Sequence, residues 1–199
     1  MANHFRCLPV FFKYRNMKSM FGLVCCMFLA TILPAQMLHP DDAASKVLFT
    51  IKNFGINTAG SLSGLKGEIV VNEQDCTNDY FNVTVNTATV NTGIGARDHH
   101  LRSVDYFNVA VFPTIQFISE SVQLNKADGQ CWVTGKLTIK GITRIITFPF
   151  TVIHTAIGYR LQGQFSINRL DYGVGSSSWA LANSVIVQLN VLAVPTANQ

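Results

Sequence analysis

The feature that most limits how this chain folds is a two-residue alternation of apolar and polar side chains that recurs in short segments after residue 46. The segment 81–90 reads Phe-Asn-Val-Thr-Val-Asn-Thr-Ala-Thr-Val. In 159–167, Tyr159, Leu161, Phe165 and Ile167 share one parity, while Arg160, Gln162, Gln164 and Ser166 share the other. Val185, Val187, Leu189 and Val191 repeat the pattern against Gln188 and Asn190. Successive side chains of a strand point to opposite faces, so these segments become strands with one apolar and one watery face.

Eight such segments are found, at 46–52, 64–71, 81–90, 114–124, 131–140, 145–154, 159–167 and 184–194. They are rich in Val, Ile, Thr and Phe, with Gly, Asn or Asp between them. Connections such as 126–129 and 156–158 are short, which favours antiparallel neighbours. Eight amphipathic antiparallel strands close readily into a barrel. A β-sandwich is the competing architecture. An outer-membrane barrel fits less well, because no end of the pattern carries long loops. The stretch Arg97-Asp-His-His-Leu-Arg-Ser103 lacks the alternation and lies between Gly95 and Pro113. It reads as a short helix between strands three and four, with Asp98 placed to favour its N-terminus.

Charge is distributed unevenly. Lys and Arg total 15 and Asp and Glu total 11. Arg6, Lys13, Arg15 and Lys18 precede residue 36, where no acidic residue occurs, so the rest carries eleven of each sign. The basic residues are followed by the apolar run 21–35, the order expected of a secretory signal peptide, with cleavage after Ala35. The expected division is 1–35 leader, 36–45 lead-in, 46–194 barrel and 195–199 loose tail. A neutral domain without a basic patch gives no electrostatic footprint for nucleic acid. Behind the leader only Cys76 and Cys131 remain. They either pair in an oxidising compartment or stand as two separate thiols. Two cysteines without a nearby histidine do not read as a metal site.

No catalytic set assembles. His99 and His100 beside Asp98 form the densest polar cluster, and an enzyme would use one histidine as a general base oriented by Asp98. Adjacent residues on a helix point about 100° apart, so the two rings do not converge. The alternative is a hydrogen-bond network that ties the helix to the barrel. The Ser176–Ser178 run lacks nucleophile-elbow spacing. Gly60, Gly64 and Gly67 precede no βα unit and read as sites of strand bending. Nine Phe follow the leader, and aromatic residues with few polar groups line lipophilic pockets or fill solid cores.

Taken in order, the motifs resemble one family. The segment Arg97-Asp-His-His-Leu-Arg-Ser-Val-Asp-Tyr-Phe-Asn108 is similar to the R-D-x-H-L-x-S-x-D-F-F-D segment of the YceI-like family. Phe112–Phe117 resembles its Y-P-x-I-x-F strand, 133–143 its G-x-L-T-I-x-G-V-T strand pair, and Arg169-Leu-Asp-Tyr-Gly173 its R-x-D-F-G motif. The resemblance spans about 46–194. It implies an all-β, eight-stranded antiparallel, lipocalin-like barrel that binds polyisoprenoid lipid or isoprenoid quinone in a hydrophobic pore in the periplasm.

On that basis the expected function is a non-enzymatic carrier of long-chain isoprenoid lipid, without cofactor or metal. Its contact with the membrane would be transient, for lipid exchange, and a second copy of the chain is a further candidate partner. A secreted enzyme using Asp98 and His100 and a filled barrel that only presents loops are the alternatives. The expected pore lining is Phe49, Ile51, Phe54, Phe117, Phe148, Phe150, Leu161 and Phe165. Arg97, Asp98, His100, Ser103 and Asp105 match the helix motif and are expected to fix the helix or border the entrance. Two positions depart from the family pattern: Asn53 stands where a His is common, and Asn108 where an acid is common.

Overall fold

The computed structural model describes residues 37–196, apart from Glu73 and Asp128. The expected leader with its cleavage point, residue 36 and residues 197–199 lie outside the described residues. Eight strands run in chain order: β1 (Met37–Asn53), β2 (Ile56–Val70), β3 (Tyr80–Asn91), β4 (Thr114–Leu124), β5 (Cys131–Ile139), β6 (Ile142–Thr155), β7 (Gly158–Asn168) and β8 (Leu181–Pro195). Helix α1 (Gly95–Arg102) lies between β3 and β4, and 3-10 turns span Cys76–Asn78 and Arg169–Tyr172. Each strand pairs antiparallel with the next, and β8 closes on β1. Closure leaves no free sheet edge, the usual weak point of a β fold.

Two boundaries differ from the sequence reading. The lead-in 36–45 is not separate from the barrel, because β1 begins at Met37. Leu38 pairs with both Ile69 and Pro195, so Pro195 ends β8 instead of opening a loose tail. Register breaks between Asp41 and Lys46, and side chains there replace missing ladder partners. Asp42 accepts from the Leu65 N–H at 2.7 Å, and Ser45 accepts from the Leu192 N–H at 3.0 Å. Strand β2 also starts earlier than expected, at Ile56 rather than Gly64. Its first half is rich in Gly, Ser and Asn, which hides a strand from any propensity argument.

Gly64 lies where the β2 register slips, between Ser61 and Lys66, and Gly67 follows in regular register opposite Val83. Gly67 has φ +135°, and a Cβ there would run into the Asn82 carbonyl on β3. Only glycine allows β2 and β3 to approach so closely while the sheet coils.

The apolar parity of each strand points inward. Phe49 faces Val187 across β1 and β8, Val152 faces Leu161, and Phe165 faces Val187. The end of the barrel near the β2–β3, β4–β5 and β6–β7 connections is solidly filled. Leu38, Ile69, Val133 and Ala193 are each at most 2% exposed. Phe81 and Phe150 meet edge to face at 5.3 Å above them. A disulfide joins Cys76 to Cys131 over a Cα separation of 6.4 Å and packs on this floor. The pairing that the sequence left open is therefore made. The opposite end carries α1, the 3-10 turn Arg169–Tyr172 and the long β3–β4 and β7–β8 connections.

Candidate ligand-binding site

Above the floor the interior is not filled. An inner compartment of about 170 Å³ is lined by residues of all eight strands. The wall is aliphatic and aromatic, drawn from positions such as Val47, Leu65, Val85 and Leu189. A second compartment of about 410 Å³ lies at the mouth. The two share Phe49, Leu62, Ile115, Ile139, Ile167 and Val187, so they adjoin along the barrel interior. The inward positions Val185 to Val191 span about 15 Å along a barrel axis, from the strand rise and a usual tilt.

Large rings of the lumen wall occupy the space that glycines leave on neighbouring strands. Phe49 pairs with Gly60 across β1 and β2, and a Cβ at Gly60 would enter the Phe49 ring. A Cβ at Gly135 would stand 2.7 Å from the Phe117 ring, and one at Gly163 would stand 3.3 Å from the Phe148 ring. The missing side chains give each ring a recess in the wall. Phe117, Phe148 and Phe165 then tile one side of the lumen, with centroids 5.5 Å and 4.6 Å apart. Each of these glycines has the inward parity of its strand, a signal present in the sequence that a count of large apolar residues overlooks.

Seven of the eight expected lining residues face the lumen. Phe117, Phe148, Phe150, Leu161 and Phe165 line the inner compartment, Ile51 the mouth, and Phe49 both. Phe54 does not. It sits in the β1–β2 turn with φ +51°, is 64% exposed, and meets Trp179 edge to face at 5.3 Å. Phe54 has the opposite parity to the inward Phe49 and Ile51 and lies where the hairpin turn begins, so it is not part of the inward face.

The mouth is built by straps whose charged side chains hold backbone. Asp98 is buried, and its carboxylate accepts from the Thr92 N–H at 2.8 Å and from the Thr92 hydroxyl. These bonds hold its pKa below the ordinary carboxylate value, with smaller help from Arg102 and Arg97. Arg97 donates to the Thr92 hydroxyl and carbonyl at 2.7 and 2.8 Å. Arg102 donates to the Ala88 and Val90 carbonyls at 2.8 and 2.9 Å. Ser103 ends α1, and its carbonyl accepts from Tyr106 and Asn108. Asn108 takes φ +48°, a backbone region that Asn tolerates better than most residues. The Asp105 carbonyl accepts from the Gly175 N–H at 2.9 Å, joining the two long connections.

Of the five helix-motif residues, Arg97 and His100 border the mouth compartment, while Asp98, Ser103 and Asp105 hold the strap. His100 packs edge to face on Tyr106 at 4.8 Å. The Asp98 carboxylate is occupied by Thr92 and does not orient His100, so an acid–base dyad is not assembled there. Asn53, where the family pattern has His, also lines the mouth.

Sequence reasoning quoted Arg169 in a motif but did not place it in the site. It is 4% exposed. Its guanidinium donates to the carbonyls of Val174, Ser176 and Ala182 at 2.8, 2.8 and 2.9 Å, with longer bonds to Leu181 and Asn183. Burial pulls its pKa down, yet an arginine starts so high that it stays a cation. Tyr172 lies beside it, 2% exposed, with burial pushing its phenol up. Both line the mouth compartment. Among the described residues no cluster of His, Cys, Asp and Glu fits a metal ion.

Comparisons with known proteins agree with this architecture. Residues 39–193 match the family described as the YceI-like domain. Protein YceI of Salmonella arizonae is 37% identical over 135 residues, covering 65% of this chain and 70% of that protein. A UPF0312 protein of Shewanella denitrificans is 30% identical over 132 residues, 60% of this chain and 69% of its own. Among solved structures, BcnA of Burkholderia cenocepacia superposes with TM-score 0.72 at 24% identity, covering 78% of this chain and 99% of that one. A polyisoprenoid binding domain from Saccharophagus degradans superposes with TM-score 0.62 at 16% identity, covering 80% and 98%.

Proposed function

Because this chain belongs to the YceI-like family, we propose that it is a periplasmic carrier that holds one long-chain isoprenoid lipid, an isoprenoid quinone or a polyprenol, non-covalently in its barrel. The observation that carries this reading is the pair of adjoining compartments inside the barrel, walled chiefly by apolar side chains such as Phe49, Phe117, Phe148 and Phe165 and with charged groups only at the mouth. Burying an acyl or prenyl chain gains about 0.8 kcal/mol per CH₂ before ordering costs, so a wall without polar atoms suits a long hydrocarbon. The mouth then takes the polar end, beside Arg97, His100 and Asn53. The structural likeness to a polyisoprenoid binding domain supports the ligand class. The basic and apolar leader supports export.

Mass spectrometry of an organic extract from protein purified without detergent tests the carrier. The expected result is a long-chain isoprenoid near one per chain. Absence of any lipid, together with failure to take up added quinone or polyprenol, overturns the reading.

A further inference from the structure

Beyond the cavity, the mouth end carries an apolar rim that no element of the barrel covers. Phe54 and Trp179 project from the two turns on one side of the opening, 64% and 91% exposed, and touch each other. The pair is held from below, since the Phe54 N–H donates to the Ala180 carbonyl at 2.7 Å. Ile56 is 71% exposed on the same hairpin. Val104 and Val111, both exposed, stand on the β3–β4 strap across the opening. Trp with one apolar and one polar edge is the side chain most suited to a membrane–water boundary.

The charge at this end has one sign in excess. Lys52, Arg97, Arg102, Lys140, Arg144 and Arg169 stand there against Asp98, Asp105 and Asp171. Several of these cations donate to neutral carbonyls. Lys140 bonds the Gly173 carbonyl at 2.8 Å, and Arg102 and Arg169 bond the carbonyls described above. Their charge is therefore not cancelled by an ion pair. The chain after residue 36 has equal numbers of acids and bases, so this excess is matched by an acidic excess over the rest of the barrel. Such a molecule meets a negative surface mouth first.

We propose that this end docks on an anionic phospholipid bilayer, with Phe54, Ile56 and Trp179 entering the headgroup layer and the basic groups resting on lipid phosphates. The rim is continuous with the mouth of the lumen, while the opposite floor is solid. The inference rests on the reading of the lumen as a lipid site, since docking there sets the opening against the bilayer.

The test is sedimentation with vesicles of phosphatidylcholine, or of equal parts phosphatidylcholine and phosphatidylglycerol, combined with tryptophan fluorescence. Binding should be about tenfold or more tighter to the anionic vesicles, and Trp179 emission should shift blue and be quenched by brominated phospholipid. Trp132→Phe should keep that signal, and Trp179→Ala should lose it. Phe54→Ala/Trp179→Ala should weaken binding about tenfold or more at an unchanged thermal midpoint. Lys52→Glu/Arg144→Glu should abolish the preference for anionic vesicles. No association, or association undiminished by the double alanine variant, overturns the proposal. So does a fall in molecular mass in that variant, which would assign the patch to a second copy of the chain. Lipid in the organic extract without vesicle binding removes docking alone, and vesicle binding by a chain that neither carries lipid nor takes up added quinone or polyprenol removes the carrier reading alone.

Discussion

Arg169 should decide whether the mouth stays built. Replacing it with Met keeps much of the apolar stem and removes the guanidinium. Three short bonds to the carbonyls of Val174, Ser176 and Ala182 are lost, at 2.8, 2.8 and 2.9 Å. Hydrogen bonds to a charged group contribute about 1.5–3 kcal/mol each, which gives a gross loss of about 5–9 kcal/mol. The parent also bears the cost of taking a cation out of water, several kcal/mol even after relaxation. Met is spared that cost, so the net loss is about 3–5 kcal/mol. For a domain of this size it lowers the thermal midpoint by about 6–20 °C. Arg169→Lys keeps the charge with three donors on a flexible stem and cannot span three carbonyls at once, so it should fall between parent and Met. Urea denaturation with a shared slope measures the difference. An Arg169→Met variant within 1 kcal/mol of the parent would refute the claim that this guanidinium organises the mouth.

Asp79 is buried, one oxygen accepts from the Asn72 N–H at 2.7 Å, and burial raises its pKa to about 6. A carboxyl raised in the fold disfavours the charged native state, so its cost is absent below about pH 4 and complete above about pH 6, at most about 3 kcal/mol. Stability should therefore rise as pH falls from 7.5 to 5, and Asp79→Asn should flatten that rise in urea titrations. Asp98 has a lowered pKa, so its stabilisation is lost only below the ordinary carboxylate value and does not interfere in this window. Reducing the Cys76–Cys131 disulfide opens a link between residues 55 apart and should cost about 4 kcal/mol by chain entropy, read as a shifted urea midpoint with and without reductant. Gly60→Leu should drive the Phe49 ring into the lumen. It is expected to lower retained lipid at a stability cost of about 1–3 kcal/mol, and unchanged lipid content would contradict the recess account.

Strand parity was legible because one face of each strand is wet. Arg160, Gln162 and Gln164 announce the outer face of β7, and the inner face follows. Seven of the eight positions expected in the lining face the lumen. Phe54, expected in the lining as an aromatic residue, has the opposite parity to Phe49 and Ile51 and lies in the β1–β2 turn. The first half of β2 was hidden for a related reason: its inward position Gly60 carries no side chain, since the space belongs to Phe49. The Asp98–Thr92 bond was illegible because Thr92 is an ordinary polar residue six positions away. Nothing in its type marks it as the partner that removes Asp98 from His100. Arg169 was visible only as a motif member, since its acceptors are backbone carbonyls, which every residue has.

The two ends of the barrel are strengthened by different physics, and the difference follows from what each must do. The floor is held by a covalent bond and by the closely buried Leu38, Ile69, Val133 and Ala193. Neither responds to a polar ligand or to salt. The mouth is not packed this way, because it borders the hollow interior. Its straps are instead held by ionised side chains bonded to backbone carbonyls, through Arg102, Lys140 and Arg169. Such bonds are strong only while water is kept away, and their geometry is fixed by chain direction rather than by neighbouring side-chain volume. A cation spent on carbonyls also keeps its charge. The groups that build the rim therefore leave it positive, and one set of residues serves both to frame the opening and to set the sign of the surface around it.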